Sequence, residues 1–395
     1  MFTSNSKYNV SAALRAVLTE SLGREGRTEA TAVLSGCLTL DPTPLYRLSA
    51  RAKALGIGDL HVKDEGQRLG MNSFKALGGA YAVIRLALAQ AATNLGRPVT
   101  PQELTSVAVQ AATRDMAVIC ATDGNHGKSV ALGARLAGCR ALVLVHEGVS
   151  ETRAAAIAAL GAEVVRFAGT YDASVAEAAR LAQVNGWTVV SDTSWDGYEQ
   201  IPLMVMQGYT IMAGEAFDAL PAPPTHIFVQ AGVGGLSASV AAHALAVYGA
   251  AMPKVVVVEP ERAACIFASA LAGTHTSVPP GAPTIMGMLD CYEPSRVAWE
   301  ILDRLAAGFV TLPEEAAVEA MALLAYPQGG DPAIVSGESG CTGLAGLVAC
   351  LRNPEARTAL NLGPDARVLV FNSEGATDPA LYRSYVGLTP EEILA

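Results

Sequence analysis

Short buried-strand patterns alternate with helix patterns through most of the chain, and this alternation is the feature that most constrains its fold. One series runs from about residue 116, and a second begins near residue 225. The strands predicted in the two series lie at 117–121, 141–145, 164–167 and 188–191, and at 226–230, 254–259 and 367–371. Strands that are separated by helices of 10–15 residues indicate βαβ units and parallel sheets. We therefore expect an α/β protein with open, twisted sheets.

The length of 395 residues exceeds what one hydrophobic core usually serves, so we expect two domains. The small α/β domain is predicted at 88–204, and a large discontinuous α/β domain joins 1–87 to 205–395. Ligands of such sheets bind beyond the carboxyl ends of the strands. A ligand is therefore expected between the two domains.

Composition argues against several classes of function. The net charge is −10 and no basic block occurs, so nucleic acid is not an expected partner. Apolar runs end before a membrane-spanning length, and the first ten residues lack the apolar core of a signal peptide, so we expect no membrane partner and a cytoplasmic location. The seven cysteines and six histidines show neither C-x-x-C nor H-E-x-x-H spacing, so we expect no metal site.

The segment Asn72-Ser73-Phe74-Lys75 precedes an apolar stripe and predicts a helix that starts at Asn72. The stripe repeats at spacings of three and four, at Phe74, Leu77, Tyr81, Ile84 and Leu88. Lys75 is then expected in the first helical turn, where the helix dipole disfavours a cation. That position suits an amine whose pKa must fall before it attacks an aldehyde. A solvated lysine at a helix start is the alternative.

A glycine-rich turn, Ala231-Gly232-Val233-Gly234-Gly235-Leu236, follows a predicted strand and opens a helix. Backbone N–H groups at such a junction form an anion site. A dinucleotide site competes with this interpretation, since Gly232 and Gly234 give G-x-G and Glu259 ends the next strand. The third glycine of that fingerprint is replaced by Ser237, so a single phosphate monoester fits better. Tight structural packing is the remaining alternative.

Polar segments end three other predicted strands, at 122–127, 191–198 and 371–375. In the first, Asp123 can take up a proton and Asn125 can donate to an oxygen. Asp192 opens the second, and Ser373 in the third is placed to face a ligand ring. Turns or loops that cap helices are the alternative for the first two segments.

Together these segments resemble the fold-type II (tryptophan synthase β-like) pyridoxal-phosphate enzymes, and among them the ammonia-lyases that act on 2,3-diaminopropionate. The aspartate of T-D-G-N-H-G is distinctive, because serine and threonine dehydratases usually carry Ser or Thr there. The stretch 287–293 departs from the family pattern, since Tyr292 stands where glycine is usual. Further matching segments lie at 63–65, 206–209, 258–260, 284–286, 337–340 and 374–379.

The resemblance implies a role for each candidate residue. Lys75 would hold pyridoxal phosphate as a Schiff base, next to Phe74, and Asn125 would bond the oxygen on the cofactor ring. Ser373 would be the partner of the ring nitrogen. The implied phosphate site consists of Gly232, Val233, Gly234, Gly235 and Leu236.

The implied reaction is the elimination of ammonia from both isomers of 2,3-diaminopropionate, which leaves pyruvate and a second ammonia. By the same resemblance Lys75 would be the base for the L form and Asp123 for the D form. Independently of family, two acidic residues, Asp123 and Asp192, suit a cationic diamino substrate. A serine or threonine dehydratase of the same fold is the nearest alternative, and a non-catalytic nucleotide-binding protein is the alternative from another class. Family members are generally dimers, so a homodimer is expected.

Overall fold

The computed structural model describes residues 1–11, 13–122, 124–169 and 171–395, and its contacts divide the chain into two compact units. Unit 1 consists of Met1–Gly23, Pro42–Phe74 and Met212–Ala395. Unit 2 consists of Arg24–Asp41 and Lys75–Ile211. The domain borders predicted near residues 87 and 204 stay a prediction, and the two units are used below.

Eleven strands occur among the described residues, and together they form two sheets. The strands are β1 Phe2–Ser4, β2 Leu45–Arg47, β3 Asp59–Asp64, β4 Ala117–Thr122, β5 Arg140–His146, β6 Glu163–Phe167, β7 Thr188–Val189, β8 His226–Gln230, β9 Lys254–Pro260, β10 Ala306–Leu312 and β11 Arg367–Asn372. The sheet of unit 1 has the order β1-β10-β9-β8-β11-β3-β2, and the sheet of unit 2 has the order β6-β5-β4-β7. All pairs are parallel except β1–β10 and β2–β3 at the two edges of the first sheet. The α/β class is confirmed.

Seventeen α-helices lie in the described part of the chain. They are α1 Ala16–Leu22, α2 Arg24–Ser35, α3 Ser49–Leu55, α4 Gly78–Leu95, α5 Val107–Thr113, α6 Asn125–Ala137, α7 Glu151–Ala158, α8 Tyr171–Asn185, α9 Gln200–Ala219, α10 Gly235–Tyr248, α11 Cys265–Ala272, α12 Arg296–Leu305, α13 Glu314–Ala325, α14 Thr342–Arg352, α15 Pro354–Leu360, α16 Pro379–Val386 and α17 Pro390–Leu394.

The core of each unit lies where helices cover its sheet. In unit 1, Val255–Val258 of β9 are fully buried, as expected for a central strand that is covered on both faces. In unit 2, the buried side chains of β4 and β5 pack against Ala178 and Ala182 of α8. One described helical stretch, Phe74–Leu95, is long and apolar enough to cross a membrane, since an 18-residue window within it has a mean hydropathy of 1.2. However, 67% of that window is buried inside the protein, as in a core helix.

Two local predictions were wrong. The helix predicted from Asn72 begins later, because Asn72 has a left-handed backbone (φ +59°) and Phe74–Leu77 form a 3₁₀ turn that precedes α4. Lys75 therefore lies in this 3₁₀ turn. The strand predicted at 188–191 ends at Val189, because β4 pairs with β7 over two residues only.

Candidate active site

The glycine-rich turn of unit 1 leaves backbone donors uncovered at the start of α10. Gly234 is the N-cap of this helix, with φ +96°, and it makes no side-chain capping bond. The first N–H groups of an α-helix have no acceptor within the helix. A phosphate monoester fits this turn, because an anion would satisfy these donors and no side chain competes for them.

The same turn is tightly packed from behind. A Cβ added at Gly232 would lie 3.0 Å from the Cys291 sulfur, and one at Gly234 would lie 3.1 Å from Ile266 Cδ1. Structural packing, the alternative weighed from the sequence, is therefore a property of this turn as well. Larger residues at either position would require these neighbours to shift, and at Gly234 the left-handed backbone would add strain.

The side chain of Glu259 is not available to bind a ribose. Its side chain is fully buried, and its two oxygens accept N–H bonds from Ile266 (2.8 Å) and Phe267 (2.6 Å) at the start of α11. Burial raises the pKa of Glu259 to about 8, although these backbone donors oppose the rise. The dinucleotide interpretation thus loses the acid on which it depended.

Ser373 directly follows β11 and is held by Gln230, the last residue of β8. Gln230 Nε2 lies 2.6 Å from Ser373 Oγ, and both side chains are buried. The sequence placed Gln230 only at the end of a strand, so this contact was missed.

The segment that leads into Lys75 is fastened to the residues around Ser373. Phe74 N–H donates to the Ser373 carbonyl (3.0 Å), and Gly375 N–H donates to the Asn72 carbonyl (3.0 Å). Leu69, Gly70 and Asn72 all have left-handed backbones, with φ of 51°, 66° and 59°. For Leu69 this conformation is strained, so the surrounding structure must enforce it, whereas asparagine adopts it more readily.

A buried charge network supports this segment. Arg68 donates to both oxygens of Glu65 (2.7 and 2.8 Å) and to Glu215 (3.0 Å). Lys63 Nζ lies 2.6 Å from Glu215 Oε2 and 2.7 Å from the Thr43 carbonyl. Two cations and two anions therefore neutralise one another inside unit 1, and the sequence had shown K-D-E only as a family-like motif.

In unit 2 the Lys75 ammonium forms an ion pair with Asp192 Oδ2. The Tyr171 hydroxyl donates to Asp192 Oδ1 at 3.2 Å. Burial alone would raise the pKa of Asp192, but the charge of Lys75, the electrostatic interaction with His126 and the hydrogen bonds from Lys75 and Tyr171 outweigh it and lower the pKa. Asp192 is thus a buried but ionised carboxylate beside the candidate nucleophile.

His126 belongs to the same cluster. Its Nε2 lies 2.8 Å from the Val190 carbonyl, so Nε2 carries the proton and donates. Burial lowers the pKa of His126, and its Nδ1 has no hydrogen-bond partner among the described residues. A neutral imidazole close to Lys75 and Asp192 was not predicted.

The other predicted site residues fall as follows. Asn125 is buried at the start of α6, where Thr122 Oγ1 accepts N–H bonds from Gly124 (2.9 Å) and Gly127 (3.0 Å). Asp123 lies outside the described residues. In the described part of the chain, no cluster of three or more His, Cys, Asp or Glu residues could hold a metal ion.

Comparison with known proteins agrees with this geometry. A family model described as pyridoxal-phosphate dependent enzyme matches residues 37–374. The diaminopropionate ammonia-lyase of Escherichia coli K12 is 38% identical over 351 residues, which cover 87% of each chain. The structure of the Escherichia coli enzyme with D-serine superposes with a TM-score of 0.87 at 34% identity, and that with an aminoacrylate-PLP azomethine reaction intermediate with 0.85 at 35%; each comparison covers 98% of this chain and 96% of the other.

Proposed function

Because the chain belongs to the family of pyridoxal-phosphate-dependent enzymes, and has their fold-type II architecture, we propose that it eliminates ammonia from 2,3-diaminopropionate. It is a carbon–nitrogen lyase whose cofactor is pyridoxal phosphate. When bound, this cofactor supplies an aldehyde for the substrate amine and a ring that draws electrons from Cα. The observation that carries the proposal is the ion pair of the partly exposed Lys75 with the buried Asp192.

Each part of the cofactor is assigned to its own residues. Lys75 Nζ would bond to the aldehyde carbon, and Asn125 would donate to the ring oxygen. The donors of residues 232–236 would bind the phosphate, Ser373 would bond the ring nitrogen, and Phe74 would lie in the cofactor site. The uncapped start of α10 and the fixed Ser373 hydroxyl support these assignments.

Asp192 is assigned the recognition of the substrate's second amine. An amine leaves only as neutral ammonia, so its nitrogen must carry a proton when the C–N bond breaks. A buried carboxylate that stays ionised favours the β-ammonium form and attracts it. Serine and threonine carry no such charge, so Asp192 favours the diamine over the dehydratase substrates.

The two mirror forms of the substrate need bases on opposite faces of the cofactor. Removal of the α-proton is assigned to Lys75 for the L form and to Asp123 for the D form. The complex of the Escherichia coli relative with D-serine supports a site that admits D-amino acids. The resemblance also supports a cytoplasmic homodimer, for which light scattering should give twice the chain mass of 40.7 kDa.

The test is an assay of the purified protein with D- and L-2,3-diaminopropionate, L-serine and L-threonine. The diamine should be preferred and should release two ammonia molecules for each pyruvate, whereas serine can release only one. Preference for serine or threonine would replace the proposal with the dehydratase alternative, and a colourless, inactive protein would end it.

The two-base assignment is tested with Asp123→Asn. Removal of a positioned base costs on the order of a hundredfold or more. This loss should appear with the D form, while the L form keeps most of its rate. Equal losses on both forms would show that Asp123 only balances the substrate's charge.

A further inference from the structure

Gln230 is surrounded by hydrogen-bond acceptors. Its amide nitrogen Nε2 lies 2.9 Å from the Gly340 carbonyl, 3.2 Å from the Phe371 carbonyl, 3.4 Å from the Ser339 carbonyl and 2.6 Å from Ser373 Oγ. The side chain is buried, and its Oε1 has no hydrogen-bond partner in the described part of the chain. The placement of Nε2 among these acceptors therefore leaves Oε1 of the same side chain without a hydrogen bond.

The carbonyl groups determine which way the amide faces. A main-chain carbonyl only accepts hydrogen bonds, so an Oε1 turned toward Gly340 and Phe371 would be repelled. Nε2 must face them, and Ser373 Oγ lies on the same side. The orientation follows from chemistry and not from the choice of atom names.

The direction of the bond to Ser373 is then fixed. An amide nitrogen offers no lone pair, so the hydroxyl oxygen must accept from Gln230, and its own hydrogen must point to another group. A serine hydroxyl is ordinarily free to rotate between donor and acceptor roles. Here the Ser373 backbone is held as well, since its carbonyl accepts from Phe74 N–H at 3.0 Å.

We propose that Gln230 is a positioning residue that commits the Ser373 hydroxyl to donate toward the cofactor's ring nitrogen. This rests on the proposed function, which makes Ser373 the partner of that nitrogen. A donating hydroxyl stabilises an unprotonated ring nitrogen. A protonated ring nitrogen would add a charged donor to an oxygen that already accepts from the neutral Gln230 amide at 2.6 Å, and it would leave the hydroxyl hydrogen without the acceptor that an unprotonated nitrogen offers.

The commitment bears on the outcome of the reaction. An unprotonated pyridine withdraws electrons from Cα less strongly than a protonated one. Weaker electron withdrawal shortens the time during which a proton can return to the cofactor instead of to Cα. It therefore favours loss of the β-amine over transamination. Gln230 would thereby act on reaction specificity through Ser373.

The experiment measures the ring nitrogen itself, by ¹⁵N NMR of protein loaded with ¹⁵N-labelled pyridoxal phosphate. The parent protein should give the chemical shift of an unprotonated pyridine nitrogen throughout pH 6 to 9. A protonated shift in the parent would overturn the inference before any variant is made, whatever the substrate of the enzyme.

The variant is Gln230→Met, which removes the donor at similar volume. In this variant the ¹⁵N chemical shift of the cofactor's ring nitrogen should move toward that of a protonated pyridine. The shift should also titrate between pH 6 and 9. Gln207→Met is the matched control, because Gln207 is also a buried glutamine whose Nε2 donates to a main-chain carbonyl, that of Gly26 at 3.0 Å. This control should leave the shift unchanged.

Ser373→Ala separates the proposed path from a general loss of structure. If Gln230 acts through Ser373, Ser373→Ala alone should move the shift, and adding Gln230→Met should move it no further. An unchanged shift in folded, loaded Gln230→Met would overturn the inference, and so would an unchanged shift in Ser373→Ala should Gln230→Met fail to fold. Failure of the parent to retain the cofactor on Lys75 would instead count against the proposed function.

Discussion

Two lysines of this protein each contact a buried carboxylate, yet their surroundings differ. Lys63 in unit 1 is 1% exposed, and its Nζ contacts Glu215 and the Thr43 carbonyl within a network that also holds Glu65 and Arg68. The side chain of Lys75 in unit 2 is 20% exposed, and its carboxylate, Asp192, also accepts from Tyr171.

The difference teaches that burial alone does not mark a reactive lysine. Burial lowers the pKa of Lys63, but the network encloses its ammonium, so no substrate can reach it. Lys75 keeps access to solvent beside a carboxylate that stays ionised. The network around Lys63 stabilises a strained segment. The surroundings of Lys75, in contrast, allow it to bind a cofactor and to transfer a proton.

The largest expected effect comes from exchanging the two lysines for apolar residues. Lys75→Ala should lower kcat/KM by about 10⁴-fold, the upper range for a positioned acid–base group, and should lower the free energy of unfolding less than Lys63→Met does, because Lys75 is partly exposed. Lys63→Met should destabilise the protein by about 3–5 kcal/mol, because it leaves a buried carboxylate uncompensated. Pyruvate assays and urea denaturation distinguish the two effects. A stable, fully active Lys75→Ala would remove Lys75 from the mechanism.

Smaller effects are expected when the two carboxylates, Asp192 and Glu215, are replaced by amides. Asp192→Asn should lower kcat/KM for the diamine by about 10²-fold, within the range for a positioned acid–base group, and should affect serine less. Glu215→Gln should mainly lower stability, by about 3 kcal/mol, since Arg68 and Lys63 then share one buried anion. An equal loss on diamine and serine with Asp192→Asn would contradict its role in charge recognition.

Sequence predicted the framework of the fold better than its details. The strands at 226–230 and 367–371 were predicted within one residue, because buried β-branched runs bounded by turns leave few alternatives. The 3₁₀ turn at Lys75 was missed, because the apolar spacing of three also fits an α-helix and the left-handed Asn72 depends on contacts with distant residues. The strand β10 was not predicted either, since it is defined by pairing with β9 and β1.

The candidate site shows the same limit. Asp192 could be selected as a polar residue after a strand, but its contact with Lys75 joins residues 117 positions apart. Gln230 carries no local signal at all, because its partners come from the segments at 339–340 and 371–373. Residues that act through such non-local contacts become visible only once the chain is folded.

The smallest expected effect sharpens the Lys75 side of the comparison. Tyr171→Phe removes the hydroxyl that donates to Asp192, one of the bonds that lower the pKa of this carboxyl group. A group with a lowered pKa in the folded state contributes stability above its usual titration range and loses it as the pH falls through the lowered pKa. With the donor gone, the pKa rises, so the acid limb of the kcat/KM profile should move to higher pH by less than about one unit, since one such bond contributes about 1 kcal/mol. At neutral pH kcat/KM should fall only a few-fold.

Tyr382→Phe is the matched control, because the hydroxyl of this buried tyrosine has no hydrogen-bond partner among the described residues. The pH profile of kcat/KM for this variant should match the parent's. If the acid limb of Tyr171→Phe stays in place, Asp192 does not depend on Tyr171 for its charge, and the charged groups around it, chiefly Lys75, keep it ionised.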